Sequence, residues 1–198
     1  MNREVLIAIR MTLVTLVLTG VLYPMAMTGV AQGLFPRQAN GSLVTAEHRV
    51  VGSALIGQRF SSAGYFHGRP SAAGANGYDA SASGGSNLGA TSKKLRDRVA
   101  ADRDTLLAQN PAAPGPVPVD LVTASGSGLD PDVSVDAALW QAPRVAAARG
   151  LPLQSVQALI QGRLENPAFQ LLGDPRVNVL LLNLDLDARY GRLAAPGR

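Results

Sequence analysis

The chain has 198 residues, 46% hydrophobic and 16% charged, long enough for one domain with a sizeable core plus an anchor. Its formal charge of +4 comes from 18 basic and 14 acidic residues, and the basic ones are scattered arginines without interleaved aromatics, which argues against a nucleic-acid groove. The absence of cysteine removes disulfides, thiolate catalysis and cysteine metal sites, and leaves the redox compartment open.

From Met11 to Ala31 no residue is charged, and at about 1.5 Å per residue this run gives roughly 30 Å of helix, the thickness of a bilayer hydrocarbon core. A secretory signal has a shorter apolar region, although Gly29-Val30-Ala31 is a passable cleavage site; length favours an anchor. Arg3, Arg10 and the terminal amine precede the run, against Arg37 and Arg49 after it. This slight bias puts a short N-terminus, residues 1–10, inside, a transmembrane helix at 11–34, and an extracytoplasmic domain at 35–198. Within the span Thr12, Thr15 and Thr19 form a small, weakly polar stripe, and Gly29 and Gly33 make a G-x-x-x-G at the outer end. Both features let another helix approach closely; the alternative is that each threonine back-bonds to its own helix. Pro24 should kink the span.

The soluble part reads as a mixture of helix and strand in the α+β class, with long Gly/Ser-rich loops. The apolar pairs around Val44, Val50-Val51 and Ala54-Ile56 predict short strands broken by Gly52 and Gly57. Residues 71–90, mostly Ser, Ala, Gly and Asn, predict a long loop that is structured only where something packs on it. Thr91 or Ser92 caps a helix to Gln109, with Leu95, Val99 and Leu106 on one face, ended by Asn110-Pro111. A proline-rich linker to Pro118 leads to a predicted strand over Val119-Val122, and a second Gly/Ser loop follows at 125–128. Ser134 caps the next helix; Pro143 predicts a break, with a second piece running to Arg149 and closed by Gly150. Val156, Leu159, Ile160 and Leu164 predict a helix ending before Pro167. The final segment carries both periods, and Asp174-Pro175 as N-cap and first turn decides for helix.

Few residues invite chemistry. Ser83, Gly84, Gly85, Ser86 and Asn87, ahead of a helix, can turn backbone N–H groups toward a phosphate and form the candidate nucleotide-binding loop. No G-x-x-x-x-G-K-[ST] motif exists, although Lys93 and Lys94 follow a turn later, and a purely structural loop is the competing reading. His48 and His67 stand 19 residues apart without a carboxylate at ligand spacing, so no metal site is assigned. Ser125, Ser127, Asp130 and Asp132 lack a nucleophile elbow, and Asp130 before Pro131 suits an Asx-turn. Asp185 and Asp187, two apart, fall on different helix faces and are read as solvated or paired with Arg189 and Arg192. The mixed charges from Lys93 to Asp104 read as a solvated helix face. No catalytic residue is assigned.

Several phrases together resemble the C subunit of the bacterial Kdp potassium-transporting P-type ATPase. They are Leu22-Tyr23-Pro24, Ala39 to Leu43, Gly52-Ser53 with Leu55 to Gln58, Tyr65-Phe66 with Arg69 to Ser71, and Ser83 to Gly89. Val119 to Thr123, Ser127 to Pro131, Pro143 to Ala146 and Val177 to Leu180 continue the match in order. Asp132 and Leu181 depart from the family pattern. The resemblance implies a non-catalytic accessory subunit of the bacterial inner membrane, partnered by a channel-like potassium-binding subunit and a separate ATP-hydrolysing subunit. It implies a catalytic chaperone that raises ATP affinity through a ternary complex, with no tightly bound cofactor and K+ as the transported ion. No D-K-T-G phosphorylation motif is present, so the aspartyl-phosphate would form on a partner. A membrane-anchored binding module unrelated to transport, and a secreted hydrolase with a cleaved N-terminus, are the alternatives.

Overall fold

A computed structural model describes residues 2–167 and 172–193. The chain divides into two compact units, Met1–Leu43 and Val44–Arg198. The first is a continuous helical stretch: α1 (Asn2–Val17), one π-helical turn (Leu18–Leu22) and α2 (Tyr23–Leu34), followed by the single turn α3 (Pro36–Ala39). The expected disturbance at Pro24 takes the form of the π turn. Pro24 has no N–H and its ring crowds the carbonyl four residues back, so the preceding turn widens and the Tyr23 N–H reaches the Leu18 carbonyl, five residues back. Helix begins at Asn2, upstream of the apolar run, and Arg3–Leu34 is long and apolar enough to cross a membrane, with none of it buried.

The second unit opens with a hairpin, β1 (Leu43–Ala46) and β2 (Arg49–Ser53). Its two-residue turn, Glu47-His48, has positive φ at both positions (49° and 62°), as a type I′ connection requires, without the Asn-Gly pair that ordinarily signals one. The predicted strand at Ala54-Ile56 is absent: the Ser53 hydroxyl accepts the Leu55 N–H and turns the chain, and the Ala54 carbonyl is taken by Asn178. No helix or strand follows until α4 (Lys93–Gln109), capped as expected by Ser92, whose hydroxyl accepts the Leu95 N–H. Val119–Leu121 is a 3-10 turn, not the predicted strand. The Val119 carbonyl collects the Val122 and Thr123 N–H groups, while Leu121 is buried inward.

A three-stranded antiparallel sheet and three helices make the core. Strand β3 (Asp132–Ser134) runs directly into α5 (Val135–Arg149), α6 (Leu153–Gly162) precedes β4 (Leu164–Glu165), and β5 (Arg176–Asn178) runs directly into α7 (Val179–Tyr190). The order is β3-β5-β4, with Val133 opposite Val177 and Leu164 also opposite Val177. Each strand-to-helix passage is made by one capping residue: Ser134 accepts the Ala137 N–H and Asn178 the Leu181 N–H. The two passages share the pattern Asp-Pro-x-Val-Ser/Asn-Val, at Asp130–Val135 and Asp174–Val179. Because Asp132 faces Asn178 and Ser134 faces Arg176, the pair is locally two-fold about Val133 and Val177. This corrects three expectations. Asp174-Pro175 leads into a strand and the cap is Asn178, four residues later. Leu164 lies in β4, so α6 stops at Gly162. Pro143 does not break its helix: α5 is continuous to Arg149, closed by Gly150 at φ 63°, because Ala142, Val145 and Ala146 on either side are buried in the core. Phe66, Trp140, Leu159, Ile160, Leu182 and Leu186 fill that core.

Candidate functional site

The long segment between β2 and α4 is held by side-chain amides from the core helices. Asn183 on α7 accepts the Phe66 N–H (2.8 Å) and donates to the Phe66 carbonyl (2.9 Å). Gln141 on α5 does the same for His67 (2.8 and 3.0 Å). Each amide thus imitates a neighbouring strand for one residue, in a place where an unpaired backbone group would be costly. Arg144 extends the clamp, donating to the Gln141 side-chain amide oxygen (2.9 Å) and to the Ala63 backbone carbonyl. Burial lowers the Arg144 pKa to about 10. The His67 ring, with Nε2 at 3.0 Å from the Ser62 carbonyl, has its pKa lowered to about 4, by burial first and then by the Arg144 charge.

Arg149 closes the end of the same segment. Its side chain is 3% exposed, bonds Asp187 (2.7 Å), the Gly64 carbonyl (2.6 Å) and the Gly191 carbonyl (2.8 Å), and stacks at 4.7 Å on Tyr65. The Tyr65 hydroxyl donates to the other Asp187 oxygen (2.8 Å). Asp185 faces away and is gripped by Arg163. The two aspartates therefore do lie on different faces, but neither has Arg189 as its partner; Arg163 and Arg149 come from other elements, and Arg192 is 3.8 Å from Asp187.

Downstream, the two Gly/Ser loops pack on each other. The Ser83 hydroxyl and the Gly84 N–H both donate to the Ser127 carbonyl (2.9 and 2.8 Å). A side chain on Gly85 would meet the Gly126 carbonyl at 3.0 Å; one on Gly128, at φ 69°, would meet the Gly84 carbonyl at 2.6 Å. Ser86 is half-buried, and Asn87 is exposed at a positive φ of 51°. The loop at 71–90 is thus ordered by the second loop, and two of the five candidate nucleotide-binding positions, Ser83 and Gly84, already spend a donor on it. Ser71 bonds the Gly128 carbonyl and accepts the Tyr78 N–H (2.7 Å). Asp130 makes the expected Asx-turn to the Asp132 N–H (3.0 Å) and also pairs with Arg69 at 2.9 Å. The Tyr78 hydroxyl donates to the Arg69 carbonyl (2.6 Å), and burial, then Asp130, raises its pKa to about 12.

In the first unit Thr12, Thr15 and Thr19 line one recess of the helix with Met11 and Leu16. Thr19 back-bonds to the Thr15 carbonyl (2.8 Å), and a side chain on Gly29 or Gly33 would touch nothing within 4 Å. The charge run of α4 is largely a solvated face, with Arg96–Asp97 and Arg103–Asp104 pairs exposed. Arg98 and Asp102 are the exceptions, both part-buried and 3.9 Å apart. Gln141, Arg144, Arg149 and Asn183 were missed from the sequence. Their only signal is a polar residue standing on an apolar helix stripe, such as Asn183 between Leu182 and Leu186.

Among the described residues no group of three or more His, Asp or Glu converges as a metal set. The polar groups of the clamp hold backbone, which suits a rigid recognition body. Comparison with known proteins gives it a family. Residues 5–188 match the family model described as KdpC, K+-transporting ATPase, c chain. A Myxococcus xanthus protein named "Potassium-transporting ATPase KdpC subunit" is 61% identical over 195 residues, covering 97% of this chain and 92% of its own. Relatives of the same name from Nitratidesulfovibrio vulgaris (90% of this chain, 92% of the relative) and Caulobacter vibrioides (90% of each) are 58% identical. On a match that runs from the apolar helix through α7, the chain belongs to the KdpC family of K+-transporting ATPase c chains.

Proposed function

We propose that this chain is the non-catalytic accessory subunit of an ATP-driven potassium pump. It is anchored in the bacterial inner membrane by the Arg3–Leu34 helix, with its second unit outside the cytoplasm, and it raises the apparent ATP affinity of a separate ATP-hydrolysing subunit. The observation that carries this reading is an apolar helix with no residue buried on a chain of the pump-subunit family. A lone helix of this kind with small residues at Thr12, Thr15, Thr19, Gly29 and Gly33 suits packing between the helices of partner subunits. The domain then rests on the channel-like, potassium-binding subunit.

An outside domain does not touch cytoplasmic ATP. Nucleotide contact through Ser83, Gly84, Gly85, Ser86 and Asn87 would also require the Gly84 N–H to leave Ser127. The effect on ATP is therefore assigned to coupling through the partners, for which about 1–3 kcal/mol, or 5- to 150-fold, suffices. The test is potassium-stimulated ATPase activity of the partner complex with and without this chain, across ATP concentrations. The expected result is a lower apparent KM for ATP in its presence; an unchanged value sinks the chaperone role. A tag at Arg198 reachable only from the cytoplasm sinks the topology.

A further inference from the structure

A cavity of about 330 Å³ is bounded by α4 and residues 59–78, and we propose that it binds a small organic anion, a carboxylate or phosphate on a short apolar body. The volume lies at the small end of ligand pockets, about 300–1,000 Å³. Its inner wall is apolar: Leu121 is buried, and Phe60 and Leu106 pack against the core. Its polar side is made by two arginines. Arg69 spends Nη1 on Asp130, and its side chain is 28% exposed where it lines the recess. Arg59 is exposed, bonds only the Asn76 carbonyl (2.9 Å), and has no carboxylate partner among the described residues.

The other charges at the cavity are balanced. Asp102, the carboxylate on the α4 wall, faces Arg98 at 3.9 Å, and Asp130 offsets Arg69. His67, also on the wall, is neutral near pH 7. Arg59 is therefore the surplus charge, and it stands with the part-exposed guanidinium of Arg69 on the lining of a half-apolar recess. Planar guanidinium groups match carboxylate and phosphate oxygens, and the apolar wall selects an anion with a hydrocarbon part over a bare ion. None of this depends on the pump reading, and its test involves no ATPase.

The experiment titrates the 15N-labelled full chain in nanodiscs with benzoate, phenyl phosphate, inorganic phosphate and neutral benzyl alcohol, following the Asn76, Gly77 and Thr105 amides. Saturable shifts are expected with benzoate or phenyl phosphate, and whichever binds more tightly identifies the acid group. Arg59→Gln should weaken binding about tenfold, the loss of one charge-assisted hydrogen bond, with the rest of the spectrum unchanged. Thr105→Trp, which places a ring in the cavity from an exposed turn of α4, should abolish it. Equal binding of benzyl alcohol, equal binding of inorganic phosphate, an Arg59→Gln chain that binds as before, or no saturation by about 20 mM would each overturn the proposal.

Discussion

At the scale of single residues, the structure separates ion pairs that hold the fold from those that decorate it. Arg149 is nearly sealed from water and uses all three guanidinium nitrogens, on Asp187 and two carbonyls, with its plane over the Tyr65 ring. Arg149→Met leaves the largely buried Asp187 with only the Tyr65 hydroxyl and a distant Arg192 and is expected to cost about 3 kcal/mol. Arg163, at 39% side-chain exposure in its pair with Asp185, is expected to cost under about 1 kcal/mol on the same change, since water replaces the lost partner. Urea unfolding followed by the single tryptophan, Trp140, itself 2% exposed, measures both; equal losses would refute the distinction. His67 makes a pH prediction of definite sign. Its folded pKa is about 4, against an ordinary 6.5, so between those values the unfolded chain takes up a proton that the folded chain refuses. Stability on this account is intact above pH 6.5 and falls as the pH drops toward 4, by at most about 3 kcal/mol. His67→Gln, which keeps a donor for the Ser62 carbonyl, should flatten that decline; an unchanged pH profile would show that another group is responsible.

At the scale of elements, most boundaries follow from local chemistry, and the exceptions identify where tertiary packing overrides it. Ser92, Ser134 and Gly150 do what their types predict, because a cap is decided within a few residues. Pro143 does not. A proline in a helix interior loses one hydrogen bond and clashes with the preceding turn, at a cost of about 3 kcal/mol, yet α5 continues because its neighbours Ala142, Val145 and Ala146 are buried on both sides of it. Pro143→Ala should therefore raise the unfolding free energy, by about 1 kcal/mol or more, through a restored bond to the Leu139 carbonyl. A variant no more stable than the parent would mean that α5 has already relaxed around the ring. The Asp-Pro pairs teach the opposite lesson: Asp174-Pro175 satisfies the local rule for a helix start, but the strand-to-helix passage it belongs to repeats that of Asp130-Pro131, and in both the cap comes four residues later.

At the scale of the whole chain, the two units have different problems to solve. The second buries its apolar surface in its own core. The first buries none of it, and its helix needs lipid or partner helices in place of water. Gly29→Leu with Gly33→Leu should leave the second unit folded, since a side chain there meets nothing in this chain, while reducing recovery of the pump subunits with this chain in mild detergent. Undiminished recovery would show that the small residues are not the packing face.

Composition, period and caps made the apolar helix, α4 and the start of α5 legible from residues alone, because each depends on neighbours within one or two turns; the family resemblance rested instead on phrases matched in order from Leu22 to Leu180. What was not legible is the pairing of distant groups. Phe66 and Asn183, or His67 and Gln141, are 117 and 74 residues apart, and nothing in an isolated amide says which backbone it will hold. The same reason hid the partners of Asp185 and Asp187 and the ordering of the 71–90 loop by the one at 125–128. The helix that could span was written in the sequence; the clamp that fixes the domain's long loop exists only once α5 and α7 each bring an amide to that loop.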